Sequence, residues 1–199
     1  MALGMKKAIC GLAVAGLMLA GSVPAFAGWN LDGSKSSVGF SSVKNDAVFE
    51  QHGFRNLSGS ISDDGEVKLT IDLNSVDTNI QIRDERMKKE LFDTEKFPFT
   101  TAMAKVDVAK LKALAPGKTE VTDVEFALDL HGKNERLVAS VQITGLENGG
   151  LLVSTIKPVE VKAGAFGLDG GVDKLRDIAK LNSILLSVPV NANLVFLSE

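Results

Sequence analysis

The chain has 199 residues, 45% hydrophobic and 24% charged, with 22 basic against 25 acidic side chains and a formal net charge of −3. That balance describes one folded domain and argues against a disordered chain, a nucleic-acid binder or a protein drawn to anionic membranes. One cysteine and two histidines argue against a disulfide scaffold and a clustered metal site, so no metal and no cofactor is expected.

The first 27 residues read as an export signal. Lys6 and Lys7 form a positive start, Ala8 to Ala20 an uncharged run, and Ala25-Phe26-Ala27 a small-x-small cleavage pattern. Gly11, Gly16, Gly21 and Pro24 interrupt the apolar stretch, which is shorter than the ~20 residues a membrane span needs. A retained anchor is the weaker alternative. Cys10 lies inside this segment, so a mature chain of residues 28–199 has no thiol and a periplasmic location is expected.

Strand-type alternation dominates from Ser36 onward. Val38 and Phe40 alternate with Ser37, Gly39 and Ser41; Leu57, Gly59 and Ile61 with serines; Val67, Leu69, Ile71 and Leu73 with Lys68, Thr70 and Asp72. Asp63-Asp64-Gly65 between the last two runs predicts a tight hairpin. Residues 81–93 break the pattern: Ile80, Met87 and Leu91 recur near helical spacing, Thr78 or Asn79 offers a cap, and Phe97-Pro98 limits the end. Strands resume over Phe99 to Ala109, then through Val124 to Leu130, Leu137 to Ile143 and Leu151 to Lys162. A second short helix is predicted over Val172 to Lys180. The last strand runs Ile184 to Phe196, with Pro189 on the outer phase marking an edge, a bulge or a seam.

About eight strands and two short helices fit an all-β, eight-stranded antiparallel barrel, with a sandwich as the alternative. Alternation leaves open whether the apolar face surrounds a hollow or a packed core.

The chain resembles the YceI-like proteins, exported lipocalin-like barrels that bind polyisoprenoids. The resemblance spans residues 28–199. It rests on Trp29-Asn30-Leu31-Asp32, Ser37-Val38-Gly39-Phe40, and Ile71 to Thr78 leading into Arg83-Asp84. Leu91-Phe92-Asp93, Lys96-Phe97-Pro98, Leu130-His131-Gly132 and Phe166-Gly167-Leu168 complete it. Lys35, and Lys133 to Arg136 after the His131-Gly132 turn, depart from the family pattern. The resemblance implies a lipocalin-like barrel acting as a periplasmic carrier, without enzymatic activity, for a long-chain amphiphile such as a polyisoprenoid or isoprenoid quinone. It also brings in a membrane cytochrome of the b type as a candidate partner, and a homodimer as a candidate assembly.

Candidate ligand-binding residues are Phe40, Phe49, Phe54, Ile71, Leu73, Arg83, Met87, Leu91, Phe92, Phe126, Leu128 and Phe166. Phenylalanine in a chain without tyrosine suits a hydrocarbon tail, although core packing is the better explanation of any single ring. Resemblance places Arg83 near the barrel mouth, where it would grip a polar head; the plainer reading pairs it with Asp84, Glu90 or a loop carboxylate. His52 and His131 are expected at the surface or hydrogen-bonded. They and Asp93 are the groups an enzymatic reading would need, and no nucleophile-elbow or phosphate-loop spacing accompanies them.

Overall fold

The computed structural model describes Met1 and residues 28–199. The expected export signal therefore lies, Met1 apart, outside the described residues. The strands are β1 (Trp29–Leu31), β2 (Ser37–Lys44), β3 (Val48–Phe54), β4 (Leu57–Ile61), β5 (Glu66–Asp72) and β6 (Val76–Asp77). They continue as β7 (Phe99–Lys105), β8 (Thr119–Leu130), β9 (Lys133–Gly145), β10 (Leu151–Thr155), β11 (Val159–Lys162) and β12 (Ser187–Ser198).

These segments make eight antiparallel staves, because β1 with β2, β3 with β4, β5 with β6 and β10 with β11 each form one interrupted stave. Every stave pairs with the next in chain order, and β12 closes the ring on β1 and β2. Closure removes the free edges that a sandwich would keep, so the barrel expectation holds. Pro189 lies opposite Glu160 of β11, while the β12–β2 ladder begins only at Val190. Its missing N–H thus falls where one ladder has already ended.

Local chemistry sets the turns. In the β4–β5 hairpin the Ser62 hydroxyl accepts the Glu66 N–H, and Gly65 adopts φ 85°. A Cβ on Gly65 would stand 2.2 Å from the Val106 carbonyl oxygen, so glycine is required there. The β8–β9 turn is His131-Gly132, both at positive φ, as a two-residue hairpin of this twist demands.

Among the described residues three α-helices and one wider-wound segment decorate the barrel: α1 (Gln81–Arg86), a π-helical stretch over Met87–Phe92, α2 (Val108–Lys112) and α3 (Asp169–Ala179). The expected cap of α1 is inverted. Thr78 does not cap the helix; instead Asp84 reaches back to accept the Thr78 N–H at 2.8 Å and its hydroxyl at 2.5 Å. The π-helical stretch ends where Asp93 turns left-handed at φ 48°. It packs tightly on α3, since a Cβ on Gly171 would lie 2.8 Å from the Glu90 carbonyl oxygen, and Lys174 pairs with Glu90. Together they form a helical lid over one end of the barrel.

Several elements differ from expectation, the last strand among them: expected over Ile184 to Phe196, it runs from Ser187 to Ser198. β3 has no apolar alternation, because two of its inward positions are Glu50 and His52. α2 begins where Asp107 caps it, accepting the N–H groups of Ala109 and Lys110, so the preceding strand stops at Lys105. The stave read as Leu151 to Lys162 breaks after Thr155, ahead of Pro158.

Candidate functional site

The alternating apolar sets point inward, and the barrel they line is partly hollow. A cavity of about 200 Å³ runs between two apolar clusters. Its wall takes Val67, Leu69 and Ile71 from β5, Val124, Phe126 and Leu128 from β8, and Val190, Ala192, Leu194 and Phe196 from β12. Thr155 alone among its lining residues carries a polar side chain, and its hydroxyl accepts the Ala192 N–H at 3.1 Å. Space survives because small residues stand opposite larger ones: Ala102 faces Leu128, Ala104 faces Phe126, and Ala139 faces Val124.

One cluster floors the cavity. Trp29, 4% exposed, packs there with Ile61, Leu111, Leu151 and Phe196, and its indole N–H donates to the Gly149 carbonyl at 2.7 Å. The other cluster lies beneath the lid and holds Leu73, Met87, Phe92, Leu128, Phe166 and Val172, with Phe40 and Phe54 packed against it. Its rings touch in sequence: Phe40 to Phe54 at 5.4 Å and Phe54 to Phe92 at 6.1 Å between centroids.

A second cavity, of about 310 Å³, opens between this cluster and the lid. Phe40 and Val188 line it, whereas Val38 and Val190 line the barrel cavity, so the two spaces adjoin one inward step apart along β2 and β12. This vestibule is amphipathic. Met87, Leu91, Val172 and Leu175 form its lid side, and Ser42, Lys44, Glu50, His52 and Arg83 its polar side.

The polar groups are tied together. Glu50 accepts from Lys44 at 2.8 Å and from Arg83 at 2.9 Å. Lys44 and Arg83 hold the Glu50 carboxyl below its ordinary range against the opposing effect of burial. Arg83 also donates to the Thr78 carbonyl at 2.8 Å, fastening α1 to β3 and β6. His52, 8% exposed, shares a hydrogen bond of 2.9 Å with the Ser42 hydroxyl and meets the Phe40 ring in a tilted contact at 5.1 Å. Burial first, and the Arg83 charge second, push its pKa down. Two buried atoms, His52 Nδ1 and Arg83 Nε, have no partner among the described residues.

Of the residues expected to bind ligand, Ile71, Phe126 and Leu128 line the barrel cavity and Phe40, Arg83, Met87 and Leu91 line the vestibule. Leu73, Phe54, Phe92 and Phe166 pack in the cluster between. Phe49 is a correction: it sits 58% exposed beside Val43, on the phase of β3 opposite His52. Arg83 pairs with Glu50 rather than Asp84 or Glu90. His52 is hydrogen-bonded as expected, but it is buried, not at the surface. No periodicity could reveal it, because its apolar neighbours in space come from β2 and the lid. His131 meets the Phe97 ring in a tilted contact at 4.5 Å in its turn, and Asp93 is exposed, so neither faces the cavities. Ser42 and His52 make a hydroxyl–imidazole contact, but His52 Nδ1 lacks the carboxylate that would orient a triad.

Residues 29–196 match the model of the YceI-like domain family. A solved polyisoprenoid binding domain from Saccharophagus degradans, implicated in plant cell wall breakdown, is 36% identical over 87% of this chain and 99% of that one, with a TM-score of 0.85. Burkholderia cenocepacia BcnA shares the fold at 22% identity, over 83% of this chain and 98% of its own, with a TM-score of 0.62. No curated protein matches the chain significantly.

Proposed function

The chain belongs to the YceI-like domain family, and from that premise we propose that it binds the tail of a polyisoprenoid, such as an isoprenoid quinone or a polyprenol, inside its barrel and carries it in the periplasm. The observation that carries this reading is the cavity wall, apolar apart from Thr155 and kept open by Ala102, Ala104, Ala139 and Ala192. The 36%-identical neighbour, itself described as a polyisoprenoid binding domain, supports the same ligand class.

Binding to such a wall needs no catalytic group. Each methylene withdrawn from water contributes ~0.8 kcal/mol, so a few isoprene units hold a lipid firmly. The cavity of about 200 Å³ is smaller than the roughly 300–1,000 Å³ that encloses a drug-sized ligand. A long tail therefore enters with the Phe40–Phe54–Phe92 rings turned aside and the vestibule joined to the barrel. The π-helical stretch beside those rings is the segment suited to yield, because its hydrogen bonds are wider-wound than those of an α-helix.

Protein expressed with its leader and purified without detergent is expected to release a polyisoprenoid on solvent extraction and mass spectrometry. Repeated recovery of lipid-free protein that also takes up no added alkyl ligand would refute the proposal. A membrane cytochrome partner and pairing with a second copy enter this reading through the family alone; co-purification from solubilised membranes and sedimentation test them.

A further inference from the structure

We infer that the lip around the vestibule mouth docks on the surface of a phospholipid bilayer, so that a tail passes between membrane and barrel without crossing water. The docking face rests on the tail-binding reading and adds a partner to it. Single apolar residues on a protein surface are ordinary, but a group of them round one opening marks an interaction site. Val48, Phe49, Ile82, Leu185 and Leu186 are each more than two-fifths exposed. They belong to three segments that meet at the lid end: the β2–β3 hairpin, the approach to β12, and α1.

The fold holds these segments together. Phe49 stands opposite Val43 of β2, and the Leu185 N–H donates to the Val43 carbonyl at 3.0 Å. At the hairpin tip the Asn45 side chain accepts the Asn182 N–H at 2.8 Å, and Asp46 accepts the Ser183 hydroxyl at 2.7 Å. Ile82 precedes Arg83, whose pairing with Glu50 fastens α1 to β3, and lies one helical turn before Arg86. Leu185 and Arg86 both line the vestibule, so the apolar group rims its mouth.

The charges at this rim select the partner. Arg86 and Lys180 are exposed and make no ion pair among the described residues. Lys180 ends α3 between Ala179 and Leu181, which line the vestibule as well. The neighbouring carboxylates are occupied: Glu50 by Lys44 and Arg83, Asp177 by Arg176, and Asp46 by Ser183. Apolar side chains set among free cations fit a bilayer interface, where the acyl boundary receives the first and lipid phosphates the second. A second copy seated lip to lip would set the same unpaired cations on both faces and cover the mouth. The net charge of −3 gives no long-range pull toward anionic lipid. The apolar rim therefore drives docking, and its few side chains keep the contact reversible, as a carrier requires.

The test is flotation of the protein, freed of its leader, with vesicles of phosphatidylcholine carrying a minor share of phosphatidylglycerol. The unmodified protein is expected to float with them. Phe49→Ser combined with Ile82→Ser is expected to lower the partition coefficient about tenfold or more, while calorimetry shows unchanged uptake of decylbenzene. Val121→Ser removes an equally exposed apolar residue from the outer wall, opposite Gln142 and toward the floor, and is expected to change nothing. Phe49→Trp supplies a readout that needs no loss of binding: its emission is expected to shift to the blue on vesicles and to be quenched by acyl-brominated phosphatidylcholine. Absence of flotation, undiminished flotation of the double variant, or an unshifted Phe49→Trp emission overturns the docking face and leaves tail binding standing. A dimer seen by sedimentation that the double variant dissolves gives the lip to a second copy and overturns it too. Flotation by a protein that takes up no alkyl ligand removes the tail reading and leaves the docking face.

Discussion

His52 concentrates the electrostatics of the molecule in one side chain. Burial and the Arg83 charge depress its pKa, so the folded protein keeps the imidazole neutral where the unfolded chain would protonate it. Above the ordinary histidine pKa neither state takes the proton, and this residue adds no pH dependence. As pH falls from that ordinary value toward the lowered one, the unfolded state gains a proton that the native state refuses, and stability declines. The loss is roughly 1.4 kcal/mol for each pH unit between the two values. Urea midpoints measured from neutral to mildly acidic pH are expected to drop in this window, and His52→Gln is expected to flatten the drop; an unchanged slope would show that other groups set it. None of this was legible in the sequence. Val48, Glu50, His52 and Phe54 share one face of β3, and two charged or polar members of four hide the strand's period. Without that strand's phase Phe49 reads as a candidate wall residue, whereas it lies outside. Arg83 was legible because the Arg-Asp pair sits in a motif, but its partner Glu50 lies 33 residues away on an unseen strand.

At the level of elements, the strands with strict alternation were read correctly because one face meets hydrocarbon and the other meets water along their length. The last strand shows this best: Val190, Ala192, Leu194 and Phe196 all reach the cavity wall. What alternation cannot express is side-chain volume at the waist, which decides between a solid and a hollow barrel. Ala192 lies opposite Val38 on β2 and leaves room that a larger residue would fill. Ala192→Leu is therefore expected to raise stability by about 1–2 kcal/mol, since its added carbons are buried without displacing packed atoms. The same change should weaken alkyl-ligand binding tenfold or more. Thermal melts and calorimetry on one preparation read both effects, and a variant that is destabilised while binding normally would mean that the cavity is not where the tail lies. The opposed signs separate a binding hollow from a packing defect, because filling a defect has no functional cost.

Across the whole molecule the two cavities give the barrel a direction. The lid end carries the polar vestibule with His52 and Arg83, while the far end is closed by Trp29, 4% exposed, against Leu151 and Phe196. Closure between the first and last staves, with Trp29 opposite Ser198, fixes that floor, whereas the lid is a separate helical layer seated at Gly171. On the proposed tail-binding reading, entry belongs to the lid end, and a tail would run away from its head toward the floor. Trp29 is the sole tryptophan of the chain and packs behind Ile61, Leu151 and Phe196, which line the bottom of the cavity, so it reports on that end. Heavy-atom quenching falls steeply with distance, so a bromine at the far end of a long alkyl tail, one side-chain layer from Trp29, is expected to quench its fluorescence measurably. A bromine on the head of the same ligand is expected to leave the fluorescence nearly unchanged. Reversal of the two would invert the ligand in the barrel and place the head at the floor, where Thr155 is the sole polar wall residue and its hydroxyl is already engaged by the Ala192 N–H. A polar head stranded there would have to give up its hydrogen bonds to water without replacement. On the proposed tail-binding reading that cost sets the orientation, with the apolar wall supplying the affinity and the polar side of the vestibule supplying the sense.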